Sequence, residues 1–438
     1  MDRAQKTEWD VVVVGAGVAG LAATARLRHA GLRVQCVEAQ GRPGGRIFTL
    51  HDPLSPIPIE LGAEFIHGRP PEIWDAIGIG RLAVYERSAQ ALHKNSNDAE
   101  PEQDGENQID RVMADLGQAA GDGHDETFLS FLGRHSYPRE AKDSAIAFVE
   151  GFNAARADTI GIASLAEDAR ASDQIDGDRP FSLRNGYDSL VNWLVDSAGI
   201  PPQLNSIVER IAWKPGSVIT QIRSDSNHAR ETFHSRAVIV TIPLALLQSA
   251  ADNRGAIQFE PEPEELRKAA RALAAGQVFR VTLRFQEAFW ERHPDLREKG
   301  FFFSQEPLFP TWWTTHPLST PVITGWTAGT AAERLIGQEE PTIIDQAVRS
   351  LQKIAGVSFD PPQAAYFHDW HRNRFFRGGY SYVPAGALSA RRRLAEPVAG
   401  TLFFAGEATD ISGHSATVHG AMASGRRAAD QVIANLRN

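Results

Sequence analysis

The stretch VVVVGAGVAGLAATARLRHAGLRVQCVEAQ, residues 11–40, decides the fold of this chain. The apolar, β-branched run from Trp9 to Val14 predicts a strand buried on both faces of a parallel sheet. Leu, Ala and Val recur at helical spacing from Val18 to Ala30, and Gly31 follows where a helix-ending glycine belongs. A second strand is predicted from Arg33 to Glu38. This order of elements is the start of a dinucleotide-binding domain.

Three glycines and one acid in this stretch have separate tasks. Gly15 makes the tight turn, Gly17 lets the backbone approach a pyrophosphate, and Gly20 lets the helix pack closely on the strand. The pyrophosphate would lie at the helix N-terminus, where N–H groups point at it. Glu38 would accept hydrogen bonds from a ribose hydroxyl and repel a 2′-phosphate, which disfavours NADP. These residues predict a dinucleotide site and leave NAD and FAD open.

Length and composition narrow the class of protein. With 438 residues the chain exceeds the size of a single hydrophobic core, so two or more packed regions are expected. The single cysteine, Cys36, excludes an internal disulfide and a cysteine-based metal cluster, and it favours the cytoplasm. A net charge of −9 argues against nucleic acid as a partner. The start of the chain has no signal-peptide pattern and no run is long enough to cross a bilayer, so we expect a soluble protein without a membrane or metal partner.

The remaining sequence alternates helical, polar and strand-like regions. Residues 93–127 are polar and acidic and predict a solvent-facing insertion or mobile loop. Residues 138–198 look mostly helical. Short β-branched and aromatic runs in residues 277–329 predict an antiparallel sheet. The chain closes with a strand at TLFFAG, residues 401–406, and a helix over residues 418–436.

The loop GRPGGR, residues 41–46, decides between the two cofactors. Its two arginines can reach phosphate while its glycines keep the loop close to it. At this point the sequence resembles the flavin amine oxidase family, which includes monoamine oxidases, polyamine oxidases and the lysine-specific histone demethylase. The motifs that carry the resemblance are GAGVAGL with Glu38, GRPGGR, ELGAEFIHG (60–68), WHRNRFFRGGYSYV (370–383) and LFFAGEATDISGHSATVHGAMASG (402–425). They span nearly the whole chain, and the last two are most similar to the polyamine oxidase and demethylase branch.

The resemblance implies an α/β fold built from two discontinuous domains. One is a Rossmann-like FAD-binding domain of the GR2 type, with segments expected at residues 1–88, 200–262 and 396–438. The other is an α+β substrate domain with an antiparallel sheet, expected at residues 89–199, mostly helical, and at residues 263–395.

The resemblance also implies a set of cofactor-binding residues. Gly406 and Glu407 would contact the ribityl chain and pyrophosphate, Val208 would pair with the adenine through its backbone, and Arg46 would lie near the flavin. On physical grounds, the helix after residues 416–421 would turn its N-terminus to the electron-rich end of the flavin and stabilise the reduced, anionic form. The full predicted set is Gly15, Gly17, Gly20, Glu38, Arg42, Gly44, Gly45, Arg46, Gly62, Ala63, Glu64, Val208, Trp370, Gly406, Glu407, Ala416, Thr417 and Val418. Gly379 replaces the cysteine that binds FAD covalently in monoamine oxidases, so non-covalent, dissociable FAD is expected.

The implied reaction is oxidation of a small-molecule amine. A hydride would pass from the α carbon of the neutral amine to flavin N5, water would hydrolyse the imine, and O₂ would reoxidise the flavin and give H₂O₂. Tyr380 matches the first of two aromatic rings that flank the flavin, and His414 stands at the second. His67 matches a histidine near the substrate in animal polyamine oxidases. Glu64 would pair with a distal ammonium or, equally, form a buried salt bridge.

The main departure from the family is Arg280. The family normally has a lysine there that holds a water beside flavin N5 and aids the reaction with oxygen. Arginine keeps the charge but is larger and cannot act as a base, which puts oxygen reactivity in doubt. Candidates for the substrate wall are Phe301, Phe302, Phe303, Trp312, Trp313 and Trp326. About half of them are expected in the sheet core because successive side chains of a strand point to opposite faces.

Three other readings stay open. An L-amino-acid oxidase needs a carboxylate clamp; Phe65 stands where that branch has arginine, and Arg280 could supply the clamp instead. A desaturase of the carotenoid or porphyrinogen type shares the dinucleotide motif but normally has an apolar docking surface. A flavin-binding protein with little turnover is the third reading. The sequence contains no signal for the oligomeric state.

Overall fold

The computed structural model describes residues 9–94, 104–121, 123–249 and 255–437. The strands are β1 Trp9–Val14, β2 Val34–Val37, β3 Thr49–Leu50, β4 Ile59–Glu60, β5 Ile66–His67, β6 Val84–Glu86, β7 Ala91–Lys94, β8 Pro180–Leu183, β9 Ser206–Lys214, β10 Ser217–Ser224, β11 Arg230–Val240, β12 Gln258–Glu260, β13 Ala274–Ala275, β14 Val278–Arg284, β15 Phe301–Ser304, β16 Thr311–Thr314, β17 Val322–Ala328, β18 Ala364–Phe367, β19 Ser381–Tyr382 and β20 Leu402–Phe404. The α-helices are α1 Val18–His29, α2 Pro71–Gly80, α3 Asp104–Gly121, α4 Phe128–Arg134, α5 Arg139–Asn153, α6 Ile162–Asp173, α7 Asp188–Ala198, α8 Leu244–Gln248, α9 Glu264–Ala272, α10 Gly329–Glu333, α11 Glu340–Ala355, α12 Leu388–Leu394 and α13 Val418–Arg437.

A seven-stranded sheet carries the dinucleotide motif. Its order is β12-β9-β10-β11-β1-β2, with β20 paired to β11. β1 runs parallel to β2 on one side and to β11 on the other. Val11 and Val13 pack into the core that contains α1 and α13, whereas Val12 and Val14 pack into the core on the other face. The predicted strand buried on both faces is confirmed, and the reason is that helices or loops cover each face.

A six-stranded sheet forms the second layer, in the order β18-β14-β17-β16-β15-β7. Its pairs are antiparallel except β15 with β7. The predicted antiparallel sheet and the α/β fold class are confirmed. Both sheets take strands from distant parts of the chain, and the domain boundaries themselves stay a prediction.

The structure corrects the expectation for residues 93–127. Residues 95–103 and 122 lie outside the described part, but α3 is a helix rather than a loop. Val112 and Leu116 are one helical turn apart and fully buried against Phe131 and its neighbours. The average composition of residues 93–127 did not predict this helix, because its few apolar residues form a narrow stripe among polar ones.

Candidate active site

A glycine cradle forms where the first strand meets the first helix. The backbone of Gly15 has a positive φ of 103°, and a Cβ at Gly20 would lie 1.9 Å from the Gly15 carbonyl oxygen. Gly20 is therefore required by helix packing. At Gly17 the nearest atom to an added Cβ is the Gly45 Cα at 3.9 Å, so this glycine borders open space at the N-terminus of α1. Its backbone is free for the approach of a phosphate.

Glu38 closes the cradle from the end of β2. Its carboxylate accepts hydrogen bonds from the N–H groups of Ala16 at 2.7 Å and Gln40 at 2.9 Å. Burial raises the pKa of Glu38, against the lowering effect of these bonds. A carboxylate has room for further donors, so the two bonds leave acceptor capacity for a ribose. Segment 203–206 pairs with the backbone just after β2 and leads into β9, which brings Val208 to the same end of the sheet.

The GRPGGR loop packs directly on the cradle. The Gly44 N–H donates to the Ala16 carbonyl at 2.8 Å, and a Cβ at Gly45 would lie 3.2 Å from the Gly17 Cα. The Arg42 guanidinium donates to the carbonyls of Pro43, Gly45 and Ile47 and lies over the Phe48 ring. Arg42 thus closes the loop on itself, which differs from the expected reach towards phosphate. The Arg42 guanidinium binds these carbonyls because the tight loop offers them few backbone N–H donors.

Glu407 joins three segments at one carboxylate. It forms an ion pair with Arg46 at 2.9 Å and accepts hydrogen bonds from the backbone and hydroxyl of Ser381 and from the Ala416 N–H. Arg46 also donates to the Gly379 carbonyl at 2.6 Å. Tyr380 directly precedes Ser381, and His414 lies two residues before Ala416. Glu407 therefore fixes the two segments that carry the predicted pair of flanking rings.

The other predicted cofactor residues surround the same space. An added Cβ at Gly406 meets nothing nearer than 4.0 Å, whereas one at Gly62 would lie 1.9 Å from the Arg46 carbonyl oxygen. The Ala63 N–H donates to that carbonyl, and the Trp370 indole donates to the Leu61 carbonyl. The Thr417 hydroxyl accepts from the Gly420 N–H and caps α13, which begins at Val418. Open space at Gly17 and Gly406, between a helix N-terminus and an acid, fits a dinucleotide such as FAD.

An aromatic wall adjoins the loops of the cofactor site; we define it as Phe65, Phe301, Trp313, Trp326 and Tyr380. Tyr380 follows Gly379, whose carbonyl accepts from Arg46. Ring centroids are 5.8 Å apart for Phe65 and Phe301, 5.3 Å for Phe65 and Trp313, and 6.1 Å for Trp313 and Trp326. The Trp326 indole and the Tyr380 hydroxyl both donate to carbonyls at the end of α5. Burial raises the pKa of Tyr380, so it is a neutral phenol.

The faces of β15 and β16 separate as expected. Trp312 and Phe302 are fully buried in the core under α11, while Trp313 and Phe301 belong to the aromatic wall. Phe303 stacks on Phe301 at 5.8 Å. The prediction that Trp312 and Trp313 face opposite sides is confirmed, because the strand is regular there.

Three histidines border the wall: His67, His414 and His419. The rings of His414 and His419 are 4.7 Å apart, and His67 lies 5.5 Å from Phe152 at the end of α5. Burial lowers the pKa of His67 to about 4 and that of His419 to about 3, and it also lowers the pKa of His414. Nε2 of His419 is buried and has no hydrogen-bond partner within the described residues. The imidazoles of His67 and His419 are therefore uncharged at neutral pH.

Glu64 lies between two buried arginines. Its carboxylate contacts Arg280 at 2.5 Å and Arg87 at 2.8 Å, and it accepts a third hydrogen bond from the Trp313 indole at 3.0 Å. Burial would raise the pKa of Glu64, but the two guanidiniums outweigh it and the net shift is downward. Of the two roles expected for Glu64, the structure has the buried salt bridge. Arg280 also donates to the Gly62 carbonyl at 2.7 Å.

A surface cleft of about 520 Å³ opens near this ion-pair network. None of the predicted catalytic residues lines it; its lining residues are His51, Pro56, Ile57, Pro58, Arg184, Asn185, Leu318, Ser319 and Thr320. A smaller adjoining cavity shares Ile57, Pro58, Arg184 and Leu318 with it and reaches Glu64 and Arg87. The predicted catalytic residues thus lie outside the cleft, and Glu64 is the one that the smaller cavity reaches.

Sequence reasoning missed Arg87, His419 and Phe152. Arg87 is a single arginine after a short strand, and nothing in its neighbourhood distinguishes it from a surface residue. His419 lies within the quoted TVHGA motif, and its place in that motif was the signal that could have identified it. Phe148 and Phe152 are four residues apart, a spacing that predicts neighbouring rings on one helix face and was a second signal. In the structure the two rings stack on α5 at 5.8 Å and are exposed.

Comparison with known proteins gives consistent results. A family model described as flavin containing amine oxidoreductase matches residues 18–433. Lysine-specific histone demethylase 1 homolog 2 of Oryza sativa subsp. japonica is 29% identical over 99% of this chain and 58% of its own length. Polyamine oxidase 2 of Arabidopsis thaliana is 26% identical over 96% of this chain and 87% of its own length. The chain spans between 52% and 59% of the length of the first three demethylase relatives.

Solved structures of two amine oxidases have the same fold. Putrescine oxidase bound to putrescine superposes with a TM-score of 0.83 at 21% identity, over 97% of this chain and 99% of that one. Cyclohexylamine oxidase from Brevibacterium oxydans IH-35A superposes with a TM-score of 0.81 at 18% identity, over 98% of this chain and 100% of that one. Within the described residues, no helix combines the length and the hydropathy that crossing a bilayer requires.

Proposed function

The chain belongs to the flavin-containing amine oxidoreductase family, with FAD as its cofactor, and from this premise we propose that it oxidises a small amine that binds in its uncharged form. The observation that carries the proposal is the aromatic wall beside the loops of the cofactor site. Glu407 ties the segments of Tyr380 and His414 to Arg46 of the cofactor loop. An apolar surface adjoining a dinucleotide site suits a substrate whose C–N bond must lie against the cofactor.

The residues of this chain have two tasks in such a reaction. The cradle glycines, Glu38 and the N-terminus of α1 would hold the pyrophosphate and ribose, and the N-terminus of α13 would face the flavin ring next to the wall. When bound, FAD supplies a two-electron acceptor for the C–N bond. The wall excludes water and orients the carbon next to nitrogen, and most of the rate enhancement would come from that positioning.

The charge state of the site favours a neutral amine. The pKa of His67 and that of His419 are both lowered by burial, so neither imidazole is a fixed cation at neutral pH that would compete with an amine for the pocket. Neutral imidazoles both accept and donate hydrogen bonds, and His419 Nε2 has that capacity unused among the described residues. An uncharged amine would satisfy it without bringing a charge into a buried space.

The same contacts favour a monoamine with an apolar substituent. A second ammonium needs a carboxylate, and Glu64, the acid of the FIHG segment, already has two arginines and an indole as partners. Arg280 is equally engaged by Glu64 and Gly62, which argues against its use as a clamp for an amino-acid carboxylate. Among the amine oxidases of this fold, one is named for an alicyclic monoamine and another for a diamine.

Oxygen as the acceptor and the cytoplasm as the compartment complete the proposal. The family resemblance supports oxygen, which would be reduced to H₂O₂, and Arg280 stands where the family normally has the lysine that aids this step. The single cysteine, which is buried and unpaired, supports a reducing compartment.

The deciding measurement is anaerobic loss of the visible flavin absorbance on addition of amines. The panel comprises alicyclic and arylalkyl monoamines, putrescine and longer polyamines, L-amino acids and a methylated lysine peptide. We expect reduction by apolar monoamines at a higher rate than by the other classes. Admission of air then reports whether O₂ restores the oxidised spectrum, and H₂O₂ is quantified in the same sample.

A matched pair of variants ties the result to the aromatic wall. Trp313→Phe removes the indole that faces the site, whereas Trp312→Phe alters the neighbouring residue on the core face of the same strand. We expect the first to change the rate and the order of preference among amines, and the second to lower thermal stability alone. Reduction by dithionite but by no amine would reject amine oxidation and favour a flavoprotein of another kind.

A further inference from the structure

Three charged side chains are buried together where the segment between β4 and β5, the end of β6 and strand β14 meet. Arg87 and Arg280 are 4% and 3% exposed, and Glu64 lies between them. Arg87 donates to one Glu64 oxygen, to the Ser182 hydroxyl and to the Thr314 carbonyl. Arg280 donates to the other Glu64 oxygen. We call these residues the Arg87–Glu64–Arg280 network.

Burial raises the pKa of Glu60, the neighbouring acid that interacts with Glu64 and Arg280, to about 8, so Glu60 is mostly protonated at neutral pH. At that pH the network carries one positive charge more than negative charge. Isolated charges are costly in a protein interior, and removing one partner of a buried pair leaves the other uncompensated. A single Arg280–Glu64 pair would be neutral and sufficient for burial. The second guanidinium makes the network net cationic, and a structural ion pair alone does not account for that excess.

The excess charge lies beside the loops of the cofactor site. Arg280 donates to the Gly62 carbonyl, and Gly62 packs on the carbonyl of Arg46, which is itself bound to Glu407. The donors of Arg87 point at Glu64, Ser182 and Thr314, whereas Nε of Arg280 is buried and has no partner within the described residues. The unused donor is thus on the arginine that contacts the cofactor loops.

We propose that Glu64 is a positioning residue and that the Arg87–Glu64–Arg280 network sets the electrostatic potential at the bound flavin. Glu64 holds the guanidinium of Arg280 at Gly62 and the indole of Trp313 in the aromatic wall, and it cancels one of the two positive charges. The flavin therefore faces one net positive charge. This inference rests on FAD binding at the cradle, and it is independent of which amine, if any, is the substrate.

The sign of the effect follows from the charge of the reduced flavin. Two-electron reduction with one proton adds a negative charge to the ring, and a nearby positive charge in a poorly screened interior stabilises that form. More positive charge in the network should raise the midpoint potential of the flavin, and less should lower it. The order of the midpoint potentials among the variants is therefore expected to follow the net charge of the network.

The test is a charge ladder of three variants. Glu64→Gln leaves two guanidiniums and a net charge of two, Arg87→Gln leaves a neutral pair, and the double variant restores one net positive charge. The midpoint potential of each FAD-loaded protein is measured by slow reduction against a reference dye, without any amine. We expect Glu64→Gln to favour reduction about tenfold or more and Arg87→Gln to disfavour it by as much, a shift of about 30 mV each way for a two-electron couple. The double variant should return close to the parent.

Glu86→Gln is the matched control. Glu86 is the residue before Arg87 and pairs with Arg179 on the surface, where its side chain is 45% exposed. The same chemical change there is screened by solvent, and the potential should stay at the parent value. Equal potentials across the ladder, or shifts of one sign in both single variants, would show an ordinary structural ion pair and overturn the proposal.

Stability and function are separated within the same experiment. If Glu64→Gln does not fold because two guanidiniums are left adjacent, Arg87→Gln and the double variant still give two rungs, and equal potentials for these two overturn the proposal. A protein that binds FAD and yields the ladder but is bleached by no amine refutes the proposed function and leaves this inference standing. A protein that is bleached by an amine but whose variants all have the parent's midpoint potential supports the proposed function and overturns this inference.

Discussion

Arg280 illustrates what a single substitution against a family pattern does to its surroundings. Its guanidinium reaches both Gly62 and Glu64 and lies 5.5 Å from the Trp313 ring. A lysine has one nitrogen and cannot hold both contacts in this geometry. The planar fork therefore links the cofactor loops, the acid and the aromatic wall in one network.

Arg280→Lys should change reoxidation of the flavin more than its reduction by amine. The shorter ammonium frees space next to the cofactor loops while the charge is kept, and oxygen chemistry is the step that senses both. We expect a change of roughly tenfold or more in the reoxidation rate. Stopped-flow measurement of the two half-reactions checks this, and equal changes in both would refute it.

His419 makes stability depend on pH. Burial lowers its pKa from 6.5 to about 3, so below pH 6.5 the unfolded chain takes up a proton that the folded protein excludes. The free energy of unfolding must therefore fall as the pH falls through this window. From pH 7 to pH 4 the loss due to His419 is about 3 kcal/mol.

The variant His419→Asn isolates this contribution. Urea unfolding between pH 4 and pH 7 should show a shallower loss of stability towards acid than in the parent protein, with the two curves closest at the acid end or crossing there. Parallel curves over the whole range would mean that this imidazole is protonated in the folded state as well. His67, whose pKa is lowered to about 4, contributes in the same direction.

At the scale of elements, the two glycines at either end of one helical turn have opposite tolerances. Gly17 at the start of α1 has room for a Cβ, and its φ of −70° suits any residue. Gly20 has none, because a Cβ would meet the Gly15 carbonyl. Gly17 is needed for the open space beside it, whereas Gly20 is needed for the close packing of α1 on β1.

Gly17→Ala should fold normally and bind FAD poorly. The added methyl group would occupy the space that the pyrophosphate needs without touching the protein, so we expect affinity to fall about tenfold or more and the melting temperature of the FAD-free protein to stay unchanged. Gly20→Ala should instead lower the melting temperature. Fluorescence titration with FAD and thermal scans distinguish them, and unchanged affinity in Gly17→Ala would contradict this account of the cradle.

Helix α3 is predicted to contribute to stability despite its polar composition. Leu116→Ala removes a side chain that is 1% exposed, and the resulting cavity should cost about 2–4 kcal/mol. Leu129→Ala, at a side chain that is 45% exposed, should change stability by less than about 0.5 kcal/mol. Denaturant unfolding measures both free energies. Similarly small effects of the two substitutions would show that α3 is only loosely attached to the rest of the protein.

At the scale of the whole molecule, segments far apart in sequence complete one another. β2 pairs with β1 and its backbone continues alongside residues 203–206, where the Gln203 N–H donates to the Cys36 carbonyl. Cys36 is thereby 2% exposed, and burial raises the pKa of its thiol to about 12. The thiol becomes reactive only when these segments separate.

Cys36 should therefore report global unfolding. A thiol reagent at neutral pH is expected to leave the native protein unmodified over hours and to label it in step with denaturant-induced unfolding, because the thiolate is the reactive species. Mass spectrometry follows the labelling, with tryptophan fluorescence as the independent measure of unfolding. Rapid labelling of the folded protein would show local opening of β2.

The sequence by itself determined the dinucleotide half of the protein. The turn glycines, the buried strand and Glu38 lie within thirty residues or so of one another, and their demands on backbone angles and hydrogen bonds are local, so a pattern reveals them. The alternation of Trp312 and Trp313 was predictable for the same reason, since the pleat of a strand is a local property. Composition failed at α3 because it averages over the stripe that packs.

Only the tertiary structure decided the partners of Glu64 and the histidines. Glu64 meets Arg87 across 23 positions and Arg280 across 216, and His419 lies near His67 only because α13 packs back against the first part of the chain. Such pairings depend on how distant segments pack together, and in the sequence each of these charged residues resembles an ordinary surface residue. The physical reason is that burial, which makes these contacts strong, is a property of the assembled fold and is absent from any short stretch of sequence.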